Sequence, residues 1–186
     1  MRFDAFWELL EPIHPRVEAF CRKLEGDRDN GDDLYQETLL IALRKFNSLR
    51  DRKAFRPWLY RIVINRYKNR NRKGWLIGHE FGKPHETISD ATHDPRTIYE
   101  SRIWLDKAFS ALSAEEKTLV VLYEIDGWSV EELTLVYKKR AGTIKSRLSR
   151  ARRKMRRAIE KYLSDHKSLL SVSESIYALQ RSNPAD

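Results

Sequence analysis

The chain has 186 residues, of which 41% are hydrophobic and 34% are charged, and its net charge at neutral pH is +9. Only seven glycines and six prolines occur, which argues against a turn-rich all-β fold and predicts an all-α protein with a modest core. The single cysteine excludes an internal disulfide and a multi-cysteine zinc site. No signal-peptide pattern opens the chain and no apolar run approaches the roughly 18 residues that cross a bilayer, so we expect a cytoplasmic protein without membrane insertion.

Amphipathic helices are predicted at the start of the chain. Apolar residues recur at helical spacing over residues 3–10 and again over 17–24, and Pro12 and Pro15 separate the two runs. After a polar loop at 26–31, a stronger helix is predicted from Asp32 to about Phe46. Acidic residues cluster in its first turns, where they suit the helix dipole even without a partner.

A basic helix is predicted next, from Pro57 to about Lys73. Residues 52–73 contain nine basic and no acidic residues, and residues 137–157 contain eleven basic and no acidic residues. Solvated helix faces usually mix both signs, so two acid-free blocks on an otherwise acidic chain indicate two contacts with a polyanion. Nucleic acid is the favoured partner, and a membrane surface is the alternative.

A linker is predicted over residues 74–96, where glycine, proline and polar residues follow no period. Three histidines and four acidic residues lie in it. Their spacing matches no metal-binding pattern, so we expect no metal site there.

Three capping boxes follow at equal spacing, each a hydroxyl residue with a glutamate three positions later. They pair Thr97 with Glu100, Ser113 with Glu116, and Ser129 with Glu132. Each box predicts the start of a helix, and the Asp-Gly pair at 126–127 predicts a break before the third.

A helix-turn-helix is predicted from the third box onward. A short acidic helix precedes a turn near residues 137–140 and a longer helix with Ile144, Leu148 and Ala151 on its apolar stripe. The other faces of this second helix are basic, which suits the major groove of DNA. An ordinary helical hairpin is the alternative. Apolar residues at helical spacing beyond residue 164 predict a further short helix in the tail.

Two motifs stand in this C-terminal half: Gly-Trp-Ser-Val-Glu-Glu-Leu at 127–133 and Gly-Thr-Ile-Lys-Ser-Arg-Leu-Ser-Arg-Ala-Arg at 142–152. They resemble region four of the extracytoplasmic-function sigma factors, a group of the sigma-70 family. That region reads the minus-thirty-five promoter element. The resemblance implies DNA contacts through Thr143, Lys145, Ser146, Arg147, Ser149 and Arg150. The chain departs from the family pattern at Thr134 and in its unusually basic turn.

Two further motifs stand in the N-terminal half: Asp-Leu-Tyr-Gln-Glu-Thr at 33–38, and Trp-Leu-Tyr-Arg-Ile at 58–62 with Asn65 after it. They resemble region two of the same family. The first motif implies contact with core RNA polymerase through Asp33, Leu34, Gln36 and Glu37. The second implies opening and reading of the minus-ten element, with a flipped-out base in a pocket and cations on the phosphates. The residues so implied are Trp58, Arg61, Asn65, Arg66, Lys68 and Arg72.

Together the motifs predict a sigma factor with two small helical domains and few contacts between them. The region-two domain spans residues 1–73, the linker 74–96, the region-four domain 97–163 and the tail 164–186. Core RNA polymerase and promoter DNA are the implied partners, an anti-sigma factor is a further candidate, and neither a cofactor nor a catalytic residue is implied. A stand-alone helix-turn-helix regulator and a DNA-processing enzyme are the alternatives. No catalytic constellation of residues supports the second of these. Two alternatives to DNA binding also stay open: Trp58 as an ordinary core residue, and Asn65 as an ordinary helix residue.

Overall fold

Eight α-helices make up the described part of the chain, and no strand occurs there. The computed structural model describes the backbone of residues 2–77 and 95–181 and the side chains of residues 3–72 and 103–165. The helices are α1 (Arg2–Leu10), α2 (His14–Glu25), α3 (Arg28–Lys45), α4 (Phe55–Ile77), α5 (Pro95–Ser110), α6 (Ala114–Val120), α7 (Val130–Tyr137) and α8 (Ala141–Arg181). Two 3-10 turns, Phe46–Ser48 and Arg52–Ala54, join α3 to α4, and a π-helical turn, Val121–Ile125, extends α6. The prediction of an all-α fold is confirmed.

Helix α3 begins earlier than its sequence pattern predicts. The side chain of Asp27 accepts a hydrogen bond from the backbone of Asn30 at 2.8 Å and so caps the helix, which starts at Arg28. Residues 28–31, the last four of the predicted 26–31 loop, are therefore helical. Gly31 lies inside α3 and is buried against α2, where a Cβ would stand only 2.5 Å from the Cα of Arg22. A glycine at this position lets the two helices approach closely. This close contact explains why a glycine stands inside the helix, although glycine generally weakens helices.

Serine caps determine where α6 and α7 begin, as the capping boxes predict. Ser113 Oγ accepts from the Glu116 amide at 3.3 Å, and the Glu116 carboxylate accepts from the Ser113 amide at 2.9 Å. Ser129 and Glu132 repeat the arrangement at 3.1 and 2.8 Å. The first predicted box differs, because α5 begins at Pro95 and Thr97 therefore lies inside the helix. The side chain of Thr97 lies outside the described residues.

Helices α7 and α8 form the predicted helix-turn-helix. Helix α7 ends at Tyr137, and Lys138 turns the chain with φ 52° and ψ 45°, a left-handed conformation that costs a non-glycine residue roughly 1–2 kcal/mol. Helix α8 then runs without a break from Ala141 to Arg181. Residues 164–181 are thus helical, as their apolar spacing predicts, but they prolong the second helix of the motif and form no separate short helix.

The N-terminal and C-terminal halves share one hydrophobic core. Buried apolar residues form a continuous cluster from Phe6 in α1 to Leu148 in α8. At the junction, Tyr60 of α4 and Trp128 before α7 lie with their ring centroids 4.6 Å apart, and their exposed fractions are 1% and 3%. The expectation of few contacts between the halves is thus wrong, since α4 packs directly against α6 and α7.

Candidate nucleic-acid interface

Helix α4 presents cations on the outside because most of its described apolar residues are buried in the core. Its buried residues are Phe55, Leu59, Tyr60, Val63, Ile64 and Tyr67. The described arginines and lysines of this helix occupy its other positions, so their side chains point away from the core of the N-terminal half. The structure distributes them between three environments: the C-terminal half, helix α3 and solvent.

Arg61 and Lys68 reach across to the C-terminal half. The Arg61 guanidinium donates to the carbonyl oxygens of Val136 at 2.9 Å and Leu135 at 2.5 Å, at the end of α7. These carbonyls are free to accept because a helix leaves its last carbonyl groups without partners. Burial lowers the pKa of Arg61. The guanidinium nevertheless stays charged, as arginine does throughout proteins. The Lys68 ammonium donates to the Glu115 carboxylate at 3.0 Å.

Arg66 turns instead towards α3, where its Nε donates to Glu37 at 2.6 Å. This hydrogen bond holds the pKa of Glu37 below its ordinary value. Partial burial of the carboxylate acts in the opposite direction but is the weaker effect. Arg70 lies near the same carboxylate, at 3.9 Å, and 3.5 Å from Glu25. These contacts connect α4 to α3, so Arg66 and Glu37 stabilise the fold whether or not they also bind a partner.

Asn65 and Arg72 are the residues of the predicted minus-ten set that stay exposed. Asn65 lines a cleft of about 300 Å³ between α4 and the helix-turn-helix. Trp58 is half-buried and packs on the edge of the core, with its ring centroid 5.7 Å from that of Phe55. Its partial burial is compatible with both roles left open for Trp58.

Three of the four residues predicted to bind core RNA polymerase are accessible to solvent on one face of α3. Asp33 and Gln36 are exposed, and Glu37 is half-exposed. Leu34 has no exposed surface because it points into the core, so in this structure its side chain is not accessible to a partner. Leu40, which sequence reasoning missed, is 55% exposed and lies one and two turns beyond Gln36 and Asp33 on the same face. A single exposed leucine is common on protein surfaces, but its position on this face makes it accessible to a partner that binds Asp33 and Gln36.

The second helix of the helix-turn-helix offers a clear outer face. Ile144, Leu148 and Ala151 are buried against the core, as predicted. The exposed side chains of the predicted DNA-reading set are Lys145, Ser146, Ser149 and Arg150. Among the described residues, neither Lys145 nor Arg150 has an ion-pair partner, so both are free to meet a polyanion. Thr143 is half-buried in the first turn, where its carbonyl accepts from Ser146 Oγ at 3.0 Å.

Arg147 differs from its neighbours on the same helix. It is only partly exposed, and its guanidinium is hydrogen-bonded to the carboxylate of Glu115, the same carboxylate that Lys68 contacts. Burial alone would favour the neutral acid, but the hydrogen bonds and charges of Lys68 and Arg147 outweigh it and lower the pKa of Glu115. Sequence reasoning missed Glu115, because a glutamate in the first turn of a helix is already explained by the helix dipole.

Neither a metal site nor a membrane span is found in the described parts of the chain. Residues 3–72 and 103–165 contain no group of histidine, cysteine and acidic side chains that could hold a metal ion. No described helix combines the length and the apolar character that a membrane crossing requires.

Family models match both halves of the chain, in the order that the motifs imply. The model for sigma-70 region 2 matches residues 9–77, and the model for sigma-70 region 4 matches residues 102–155. The chain is 31% identical over 144 residues to the ECF RNA polymerase sigma factor EcfG of Rhodopseudomonas palustris, covering 77% of that protein. The chain belongs to the extracytoplasmic-function group of the sigma-70 family.

Other members of the family show how far the likeness extends. The ECF RNA polymerase sigma factor SigE of Mycolicibacterium smegmatis is 29% identical over 162 residues, and the chain spans 63% of its length. The sigma factor RpoE of Bartonella quintana, solved in complex with the anti-sigma factor NepR, superposes with a TM-score of 0.62 at 27% identity. That likeness covers 84% of this chain and 97% of the solved one, so it includes both halves.

Proposed function

We propose that this chain is a sigma factor that binds core RNA polymerase, directs it to specific promoters and assists promoter opening. The observation that carries the proposal is the match of two family models, one to residues 9–77 and one to residues 102–155. The first stretch includes the polar, acidic face of α3 and the second includes the basic face of α8. In this proposal the chain acts in the cytoplasm and catalyses nothing itself. Residues 1–73 form the region-two unit and residues 97–163 the region-four unit, with 74–96 between them and 164–186 as a tail.

The minus-thirty-five element is contacted by the first three turns of α8. Lys145, Ser146, Ser149 and Arg150 are exposed there, so their side chains can reach base edges without any change in the core. Thr143 lies at the start of the same helix, and Arg147 joins the set only when its contact with Glu115 is released. A recognition helix that enters the groove by its N-terminal end reads bases with these early residues.

The minus-ten element is contacted by α4. Asn65 offers an amide that can pair with the edge of a base, and the accessible side of the Trp58 ring offers a stacking surface. Arg72 is exposed and has no partner among the described residues, so it can bind a phosphate. Arg61, Arg66 and Lys68, in contrast, hold intramolecular partners in this structure. Their contribution to promoter binding therefore requires an exchange of partners.

Core RNA polymerase is contacted by Asp33, Gln36 and Glu37 on α3. The exposed Leu40 joins this set, and the buried Leu34 does not belong to it. The exposed leucine supplies the apolar part of the contact, and Asp33 supplies its charge. An anti-sigma factor is a further candidate partner, since the related Bartonella quintana sigma factor was solved with one. The stand-alone regulator is less favoured, because such a protein has no need of a region-two unit.

Transcription in vitro tests the proposal. Purified full-length protein is added to core RNA polymerase with a library of duplex promoters, and the transcripts are sequenced. We expect initiation from a defined subset of promoters that share elements at two spacings upstream of the start. Transcription no different from that of core enzyme alone would refute the sigma assignment.

A further inference from the structure

A basic cleft lies between α4 and the turn of the helix-turn-helix. It has a volume of about 300 Å³. Five of its lining residues are cations and one, Glu115, is a carboxylate, so positive charge is in excess. The cations are Arg61 and Lys68 of α4, Lys138 and Lys139 of the turn, and Arg147 of α8. Charges of one sign along a cleft raise the local potential and attract a counter-ion from solvent.

The groups around the cleft do not satisfy all of these cations. Glu115 accepts hydrogen bonds from Lys68, at 3.0 Å, and from Arg147. Arg61 donates to two backbone carbonyl oxygens, which carry no full charge. An ammonium has three N–H donors and a guanidinium has five, so Lys68 and Arg61 each keep further donors. Lys138 and Lys139 are exposed and have no hydrogen-bond or ion-pair partner among the described side chains.

A strained turn holds two adjacent lysines at the cleft. Lys138 has φ 52° and is the only non-glycine residue with a positive φ in the described backbone. Lysine adopts this left-handed conformation rarely, and such strain is concentrated at ligand-binding sites. The turn brings both Lys138 and Lys139 to the cleft, where their like charges repel each other. An anion between them relieves that repulsion.

Apolar groups complete the lining of the cleft. Ile64 and Val136 are 4% and 1% exposed, and the Tyr137 hydroxyl is hydrogen-bonded to Thr118 at 2.8 Å. Such surroundings of low polarity strengthen the attraction between the cations and a bound anion. Asn65 adds one amide that can both donate and accept a hydrogen bond. The volume lies at the lower end of the range for small-molecule sites, so it fits an anion of nucleotide size rather than a duplex.

We propose that this cleft binds a small oligophosphate: two or more linked phosphate groups, either free or as the phosphate chain of a nucleotide. Lys138 and Lys139 bind the phosphates from one side and Lys68 from the other, through charge-assisted hydrogen bonds. Arg61 and Arg147 add positive charge around them. The inference goes beyond the proposed function, although Arg61, Lys68 and Arg147 are shared with it. Binding is measured on the free protein, so the outcome is independent of the sigma assignment.

Calorimetric titration of the full-length protein with tripolyphosphate tests the site, at an ionic strength of about 0.15 M, which screens distant charges. The cleft variant is Lys138→Gln with Lys139→Gln. Its matched control is Lys45→Gln with Lys53→Gln, because both lysines are exposed and lie outside the cleft. The cleft variant should bind at least about tenfold more weakly than the wild type, and the control less than about twofold. No binding to the wild type, or an equal loss in both variants, would overturn the proposal.

Chemical protection locates the anion in the wild type without any substitution. Acetic anhydride acetylates accessible lysines, and mass spectrometry gives the rate at each one. At an anion concentration of about ten times the Kd, roughly nine in ten molecules are occupied, so acetylation of Lys138 and Lys139 should slow by up to about tenfold. The rates at Lys45 and Lys53 should not change. Equal protection at all four lysines, or at none, would refute a site in this cleft.

Further probes distinguish the two sources of linked phosphates. Adenosine triphosphate, guanosine triphosphate and orthophosphate are titrated under the same conditions as tripolyphosphate. Equal affinity for tripolyphosphate and both nucleotides supports a site that recognises the phosphate chain alone. Tighter binding of one nucleotide, lost in Asn65→Ala, supports a site that also recognises the base. Orthophosphate that binds as tightly as tripolyphosphate would contradict the need for linked phosphates and overturn the proposal.

Discussion

The recognition helix yields the sharpest mutational prediction. Lys145 and Arg150 are exposed in the first turns of α8 and have no ion-pair partner among the described residues, so their truncation should leave the core untouched. Arg156 and Arg157 are also exposed, but they lie further along the helix. Eleven residues separate Lys145 from Arg156, which is three full turns and about 16 Å along the helix axis. Lys145 and Arg156 therefore lie on the same face of α8, and Arg156 lies further from the N-terminal end of the helix that enters the groove.

Loss of a base-edge contact at Lys145 or Arg150 should cost about 1–3 kcal/mol, or roughly 5- to 150-fold in Kd. The loss should be confined to the promoter position that the side chain reads. Arg156→Ala and Arg157→Ala should instead weaken binding to all sequences alike, and each should reduce the slope of log K against log salt by about 0.9. Arg147→Ala is not a clean member of this series, because it also frees Glu115.

The assay is fluorescence anisotropy with a duplex selected by the holoenzyme from a randomised library, followed by duplexes with single base-pair changes. Thermal unfolding of each variant checks that the fold is intact. If Lys145→Ala, Arg150→Ala, Arg156→Ala and Arg157→Ala change affinity and salt dependence alike, the helix does not enter the groove by its N-terminal end. The assignment of the early α8 residues to base reading would then be wrong.

Further predictions concern packing, promoter opening and pH. Gly31→Ala should destabilise the protein by about 1–3 kcal/mol in urea unfolding, because the new Cβ meets backbone atoms of α2 that cannot rotate away; an unchanged free energy would show that the helices can separate freely. Asn65→Ala should lower initiation by roughly tenfold and change the preferred base at one downstream position, while binding of the upstream element survives. Normal base preference would leave Asn65 without a role in reading. The Arg66 hydrogen bond lowers the pKa of Glu37, so this pair stabilises the fold above the ordinary glutamate pKa of about 4.3 and the contribution is lost as pH falls below it. The stability difference between wild type and Glu37→Gln should therefore shrink on acidification, and a constant difference would contradict the pairing.

Local patterns predicted most of the helices because local chemistry decides them. The Ser113 and Ser129 boxes each place a hydroxyl and a glutamate where free helix amides need acceptors, and both helices begin there. The start of α3 was missed because Asn30 and Gly31 resemble loop residues. The tight contact with α2 that makes glycine favourable at position 31 is a tertiary property, which no periodicity reveals.

The outward faces of the candidate site could also be predicted in part. Burial of Ile144 and Leu148 leaves Lys145 and Arg150 outside by helical geometry alone. Leu34 lies in the core although Asp33 and Gln36 of the same motif are exposed, because helical periodicity turns its position inward. The contact of Glu115 with both halves could not be predicted, since it depends on how α4 packs against α6.

Association with core RNA polymerase is the most direct test of the central claim. Asp33→Lys with Gln36→Lys reverses the charge of the exposed α3 face without breaking an ion pair that the structure describes, whereas Glu37 is left alone because it holds Arg66. A matched control makes the same change of net charge at two exposed residues of the N-terminal end, Glu8→Lys with Glu11→Gln.

Each protein is mixed with core enzyme and co-purified by size-exclusion chromatography, alongside thermal unfolding. The wild type and the control should elute with core enzyme, and the α3 variant should elute free while it remains folded, because like charges opposed at an interface cost several kcal/mol. A wild type that shows no affinity for core RNA polymerase would contradict the account.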